Sequence, residues 1–147
     1  RSPSSIETST SPDAMPTDGW GSSAMLWALV EGLAGVQDKG RLMNQIRLCP
    51  RWNAAQVDSA EVRVGYAASG VGLGYAYALQ PDGIQLDIES PDSQIDLHLL
   101  LPKGARVREV SAGPHSLPFS EKDVADSRYL DCRLPQSQSL AVRLRFA

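Results

Sequence analysis

Gly19-Trp20-Gly21-Ser22-Ser23-Ala24-Met25-Leu26-Trp27-Ala28-Leu29-Val30-Glu31-Gly32-Leu33-Ala34-Gly35-Val36 reads as a helix that is apolar on nearly every side. Met25, Leu26, Leu29, Val30, Leu33 and Val36 recur at helical spacing, and Ala24, Trp27, Ala28, Glu31 and Gly35 make up the other side. A helix apolar all round is expected to be buried, yet no second helix in the chain is available to bury it. Ser22 or Ser23 is the expected N-cap, and Asp38-Lys39-Gly40 the expected end. Gly32, Ala34 and Gly35 are small enough to let another backbone approach. The run from Ala24 to Val36 contains Glu31 and is shorter than the about 20 residues a membrane span needs, so a buried helix is expected and no membrane partner.

From Asn44 onward the period changes to two. Ile46 and Leu48 alternate before Cys49-Pro50. Val62, Val64 and Tyr66 form the next set, then Tyr75, Tyr77 and Leu79, then Ile84, Leu86 and Ile88. Ile95, Leu97, Leu99 and Leu101 alternate with Asp96 and His98, and shorter strands are expected over 107–110, 129–134 and 140–146. Pro81-Asp82-Gly83 and Ser90-Pro91-Asp92 read as turns, the first as a hairpin in which Asp-Gly tolerates positive φ. Strands at near-regular spacing predict a mainly β chain: an antiparallel β-sandwich preceded by one apolar α-helix. Gly70, Gly72 and Gly74 precede a strand rather than a helix, which argues for turn or bulge glycines and against a phosphate loop.

The chain has 147 residues, 42% hydrophobic and 21% charged, with a formal net charge of -3. That is the composition of one ordinary globular domain, or a domain with an appendage. The arginines are scattered rather than clustered, so no nucleic-acid partner is expected. Residues 1–18 are rich in Ser, Thr, Pro and Asp and read as a flexible tail. No basic segment followed by an apolar one marks a secretory signal, and the compartment stays open. Cys49 and Cys132 do not make a disulfide framework; a bridge between them is an open alternative to Cys132 lying inside a sheet as a small hydrophobe.

Little in the sequence resembles an assembled active site. His98 and His115 lie in separate segments without partners at ligand spacing, so no metal site and no cofactor are expected; His98 is expected on an outward strand face. No nucleophile-elbow motif supports Ser-His-Asp catalysis. Glycoside hydrolysis needs two carboxylates, and the acids near the apolar helix are Asp18 and Glu31. A carboxylate inside an apolar helix must be hydrogen-bonded, paired or open to a cavity, and backbone or an arginine is the expected partner of Glu31. Asp87, Glu89 and Asp96 read as solvated. Trp20, between two glycines at the helix start, is either a sugar-stacking face or a packed plug. Trp27 is expected in the core, and Trp52 as the seal between helix and sandwich.

The stretch from Gly19 to Val36, followed by Leu48-Cys49-Pro50-Arg51-Trp52, resembles the last barrel helix of glycoside hydrolases with an (α/α)6 toroid and the segment that leads into their C-terminal β-sandwich. Ile95-Asp96-Leu97-His98-Leu99-Leu100-Leu101-Pro102-Lys103-Gly104 is similar to a sandwich strand ending in a Leu-Pro-x-Gly turn. The order of parts most resembles the α-L-rhamnosidases. The resemblance covers residues 19–147 and implies residues 19–43 as the closing helix of an α/α barrel and residues 44–147 as the sandwich. It carries over no catalytic residue, since the helices that bear the carboxylates of such enzymes have no counterpart here. Trp20, Asp18 and Glu31 are the candidate substrate-binding residues.

The resemblance implies a structural or accessory part of a carbohydrate-active hydrolase, inactive alone. Its partners would be the remainder of an α/α-barrel catalytic domain and an oligosaccharide or glycoside. One alternative is a free-standing carbohydrate-binding sandwich using Tyr66, Tyr75 or Tyr77. The other is an interaction protein that docks through its apolar helix.

Overall fold

A computed structural model describes residues 19–147, with side chains from Gly21 onward; the expected tail, 1–18, lies outside them. The chain is mainly β and forms a sandwich of two sheets behind one short helical segment. Helix α1 spans Gly19–Trp27 and continues as a π-helical segment, Ala28–Leu33. The strands are β1 (Val36–Asp38), β2 (Gln45–Leu48), β3 (Ser59–Tyr66), β4 (Val71–Gln80), β5 (Gly83–Glu89), β6 (Gln94–Leu100), β7 (Val107–Ala112), β8 (His115–Ser116), β9 (Phe119–Val124), β10 (Ser127–Arg133) and β11 (Ser139–Phe146). A 3-10 turn, Trp52–Ala55, joins β2 to β3.

One sheet has 5 strands in the order β1-β2-β6-β10-β9; the other has 6, in the order β3-β4-β5-β11-β7-β8. Ile46, Leu48, Ile95, Leu97 and Leu130 from the first meet Leu73, Tyr77, Leu86, Ile88 and Val142 from the second in a single apolar core. The alternation read along each strand is therefore the two inner faces, the arrangement that lets both sheets bury one side and wet the other. Pairing is antiparallel except between β2 and β6, where Ile46 stands beside Ile95 and Leu48 beside Leu97 in parallel register. A parallel neighbour needs a long crossover, and the whole β3–β5 meander of the opposite sheet supplies it.

The helix differs from its expected extent. It starts at Gly19, which puts Ser22 and Ser23 inside it rather than at its cap. It stops at Leu33, not at Asp38-Lys39-Gly40. Val36 has helical spacing from Leu29 and Leu33, but it is the first residue of β1 and almost fully buried. Gly35 decides the change: its φ of +71° turns the chain, and a Cβ there would lie 1.9 Å from the carbonyl oxygen of Cys49. Only glycine permits both. The small residues do admit another backbone, and it is that of β2's exit, with the Cys49 amide donating to the Gly35 carbonyl at 2.7 Å.

Asp38-Lys39-Gly40 instead opens the β1–β2 connection. The Asp38 carboxylate accepts from the amides of Gly40 and Met43, each at 3.0 Å, and from Tyr66 Oη at 2.8 Å. Burial acts to raise its pKa, but these three hydrogen bonds outweigh it and hold the carboxyl below its ordinary range.

The β4–β5 hairpin turns at Pro81-Asp82, as expected, with Gln80 facing Gly83. Neither Asp82 nor Gly83 takes a positive φ. Gly83 is required for another reason: a Cβ there would sit 1.9 Å from the carbonyl oxygen of Leu144 on β11.

Candidate functional site

Two surfaces carry chemistry: the helical segment with its anchor to the sandwich, and the outer face of the 5-stranded sheet.

Helix α1 and its π-helical continuation present Met25 at 68% exposure, Leu26 at 64%, Trp27 at 64% and Leu29 at 55%. The all-round apolar helix is thus open within this chain rather than buried, and Trp27 is not a core residue. The physical reason is geometric: both inner faces of the sandwich are already filled by strand side chains, and only the end of the segment reaches them, through Val30 and Ala34. The first turn of α1 holds no acid and its last turn no base, so little favours this helix electrostatically. A segment this short is marginal in water without packing.

Its C-terminal end, by contrast, is tightly fixed. The carbonyl of Leu33 accepts from the Arg51 amide at 3.0 Å, and that of Gly32 from Arg51 Nη1 at 2.7 Å. The Ala34 carbonyl accepts from Tyr75 Oη at 2.6 Å, and Tyr75 Oη in turn accepts from Trp52 Nε1 at 2.9 Å. These bonds use the orphan carbonyls that every helix end leaves. Trp52 packs against the core at this junction, where it was expected. Burial pushes the phenol of Tyr75 well above its ordinary pKa, partly offset by the bond from Trp52. Tyr77, also buried, is pushed up to about 12 by burial and by the nearby Asp58 carboxylate.

Glu31 lies on the π-helical segment and is half-buried. Among the described residues it has neither the backbone nor the arginine partner expected of it; Arg51 Nη1 donates instead to the carbonyl of the neighbouring Gly32. Asp18 lies outside the described residues, and of Trp20 only the backbone, in α1, is described. Of the three candidate residues, only Glu31 has a described side chain. Tyr75 and Tyr77 are buried in the core, which removes them as sugar-facing aromatics. Tyr66 is open at the end of β3, beside a cavity of about 720 Å³.

The outer face of the 5-stranded sheet holds a group that sequence reading missed. Cross-strand register sets Asp96 of β6 between Arg47 of β2 and Arg133 of β10. The next outward row sets His98 of β6 beside Asp131 of β10 and Ser120 of β9. Arg133 Nε donates to Asp96 Oδ1 at 2.9 Å. His98 Nδ1 and Asp131 Oδ1 share a hydrogen bond at 2.5 Å. The imidazole also stacks on Tyr129, ring centroids 4.4 Å apart and planes 7° from parallel. His98 points outward, as expected, and its side chain is only 14% exposed because the ring of Tyr129 and the Asp131 carboxylate cover it. A groove of about 510 Å³ opens over these residues. The signal was present in the alternation of β6 and β10, but their register cannot be read from either strand alone.

Cys49 and Cys132 are both free and buried, so the alternative of a bridge is not realised. Burial raises both thiols, which leaves them as packed hydrophobes rather than nucleophiles. Among the described residues, no group of 3 or more His, Cys, Asp or Glu side chains is placed to hold a metal ion, and no helix is long and apolar enough to cross a membrane.

No family model and no curated protein matches the chain. Among solved structures it is similar to an α-L-rhamnosidase from Dictyoglumus thermophilum, with a TM-score of 0.54 and 15% sequence identity over 85% of this chain. The match spans 14% of that enzyme's length. At this identity the likeness is one of fold: the sandwich described above is an architecture also present in a glycoside hydrolase.

Proposed function

We propose that this chain is the closing helix and C-terminal sandwich of a glycoside hydrolase built on an α/α barrel, with a structural, non-catalytic role. The observation that carries the reading is the contrast between a filled sandwich and a helical segment bolted to it at one end yet open along Met25, Leu26, Trp27 and Leu29. Such a ridge requires an apolar partner. Neighbouring barrel helices would supply one, and the shared fold with a glycoside hydrolase makes that partner the natural one. The sandwich would brace the barrel, with Arg51, Trp52 and Tyr75 transmitting its rigidity to the helix. Candidate contacts with a glycoside, Trp20, Asp18 and Glu31, would fall on the helix side of the junction. The parent enzyme would use an acid and a base carboxylate located elsewhere.

The test is the coding sequence upstream of Arg1. Several hundred residues of helical repeats there support the reading; a start codon immediately before Arg1 overturns it. Robust turnover of aryl glycosides by the isolated chain would also overturn it, because the catalytic groups would then lie within these residues.

A further inference from the structure

We propose that the groove across β6, β10 and β9 is a saccharide-binding subsite that takes a neutral sugar ring. It deepens the functional reading above and depends on it only for the choice of probes. The argument starts from pre-organisation. His98 is held by two independent constraints, the bond to Asp131 in the plane of its ring and the stack on Tyr129 against its face. Its Nδ1 is committed to Asp131, which leaves Nε2 as the one ring atom free to meet a ligand. On the 6-stranded sheet, by contrast, the Arg63–Glu61 pair is 3.8 Å apart with both side chains more than 70% exposed.

The second step is charge. Asp96 stands between Arg133 and Arg47, and Asp131 shares a hydrogen bond with His98, so the lining holds two guanidinium groups and two carboxylates. The site presents donors and acceptors in abundance with little net field, a poor trap for an ion and a good match for hydroxyls, which both donate and accept. A guanidinium–carboxylate pair and an imidazole–carboxylate pair stand in successive outward rows, about 7 Å apart along the strands. That spacing lets hydroxyls on the two edges of one sugar ring engage both pairs. Pro118, exposed just before β9, adds an apolar edge to the groove, which suits the C–H face of a ring. The volume, about 510 Å³, lies in the range of small-molecule sites.

The experiment is amide-resolved NMR on the whole chain, titrated separately with L-rhamnose, methyl α-glucoside, methyl β-galactoside and inorganic phosphate to tens of millimolar. At least one sugar is expected to shift the amides of Leu97, His98, Ser120, Asp131 and Cys132. Ser120→Arg, which fills the groove from an exposed edge-strand position, is expected to weaken that binding about tenfold or more. Arg133→Ala, at a side chain 72% exposed, provides a second variant if the first disturbs folding. No shift with any of the sugars overturns the proposal. So does a response to phosphate alone, which would make the groove an anion site, and so does sugar binding unaffected by either variant. These outcomes are independent of the upstream coding sequence, so failure of the subsite and failure of the parent reading are distinguishable.

Discussion

Strand β6 and helix α1 with its π-helical continuation each carry three leucines and differ in almost everything else. Leu97 and Leu99 are at most 1% exposed, while Leu26 and Trp27 are 64% exposed. Within one chain, similar side chains are thus either fully paid in burial or not at all. The sandwich has a stable core whether or not anything else binds it, at roughly 1.5–3 kcal/mol for each large apolar side chain removed from water. The helix contributes nothing of the kind to this chain beyond its anchored end. The side chains that stabilise nothing internally are the ones that the proposed barrel contact would cover.

The sharpest way to break the comparison is to truncate one leucine on each side. Leu97→Ala removes atoms from the interior of a closed core and is expected to destabilise the chain by about 2–5 kcal/mol in urea unfolding. Leu26→Ala should change the same measurement by less than about 0.5 kcal/mol. Equal losses at the two positions would show that the helix packs onto the sandwich in solution, and the idea of an open ridge would be lost.

The junction should behave as core despite its polarity. Tyr75→Phe keeps the ring but removes the hydroxyl that donates to Ala34 and accepts from Trp52. Its expected cost is about 1–3 kcal/mol, the range for leaving buried hydrogen-bonding groups unpaired. The same change should speed hydrogen exchange at the Ala34 and Arg51 amides, since these report whether the helix end stays clamped. Unaltered exchange there would mean that the clamp is Arg51 alone.

How much of this could be read from the sequence follows the same division. The strands from β2 to β7, and β10 and β11, were legible because burial on one face forces a period of two. β9 was not: Phe119-Ser120-Glu121-Lys122-Asp123-Val124 carries charges on an edge strand, as edges that avoid mispairing do, and so has no apolar rhythm to detect. β1 was hidden because Val36 fits a helical period as well as a strand, and only the approach of Cys49 to Gly35 separates the two. The helix was legible as apolar, but its exposure was not, because that follows from strand side chains filling the sandwich interior so that only Val30 and Ala34 reach it. The junction was legible only through Trp52. The His98–Asp131 pair required the β6–β10 register, and register is a property of two strands rather than of either one.

The smallest expected effect comes from pH and separates the two regions once more. Tyr75 and Tyr77 carry phenols raised above their ordinary pKa, Tyr77 to about 12, whereas in the unfolded chain they titrate near the ordinary value of about 10. Between these values the unfolded state has released protons that the folded state retains, so stability must fall as pH rises through that interval, and it is fully present below it. Alkaline unfolding monitored by urea midpoint should show this decline. Tyr77→Phe should make it shallower, because a phenylalanine at that position has no proton to lose, and the part due to Tyr75 should remain. Tyr66 sits at the surface with its hydroxyl on Asp38, and Tyr66→Phe should leave most of the decline in place. If the surface tyrosine governed the alkaline limb instead, the buried phenols would have to be reachable by hydroxide in the native state. The tight core on which the contrast between sandwich and helix depends would then be open at its junction.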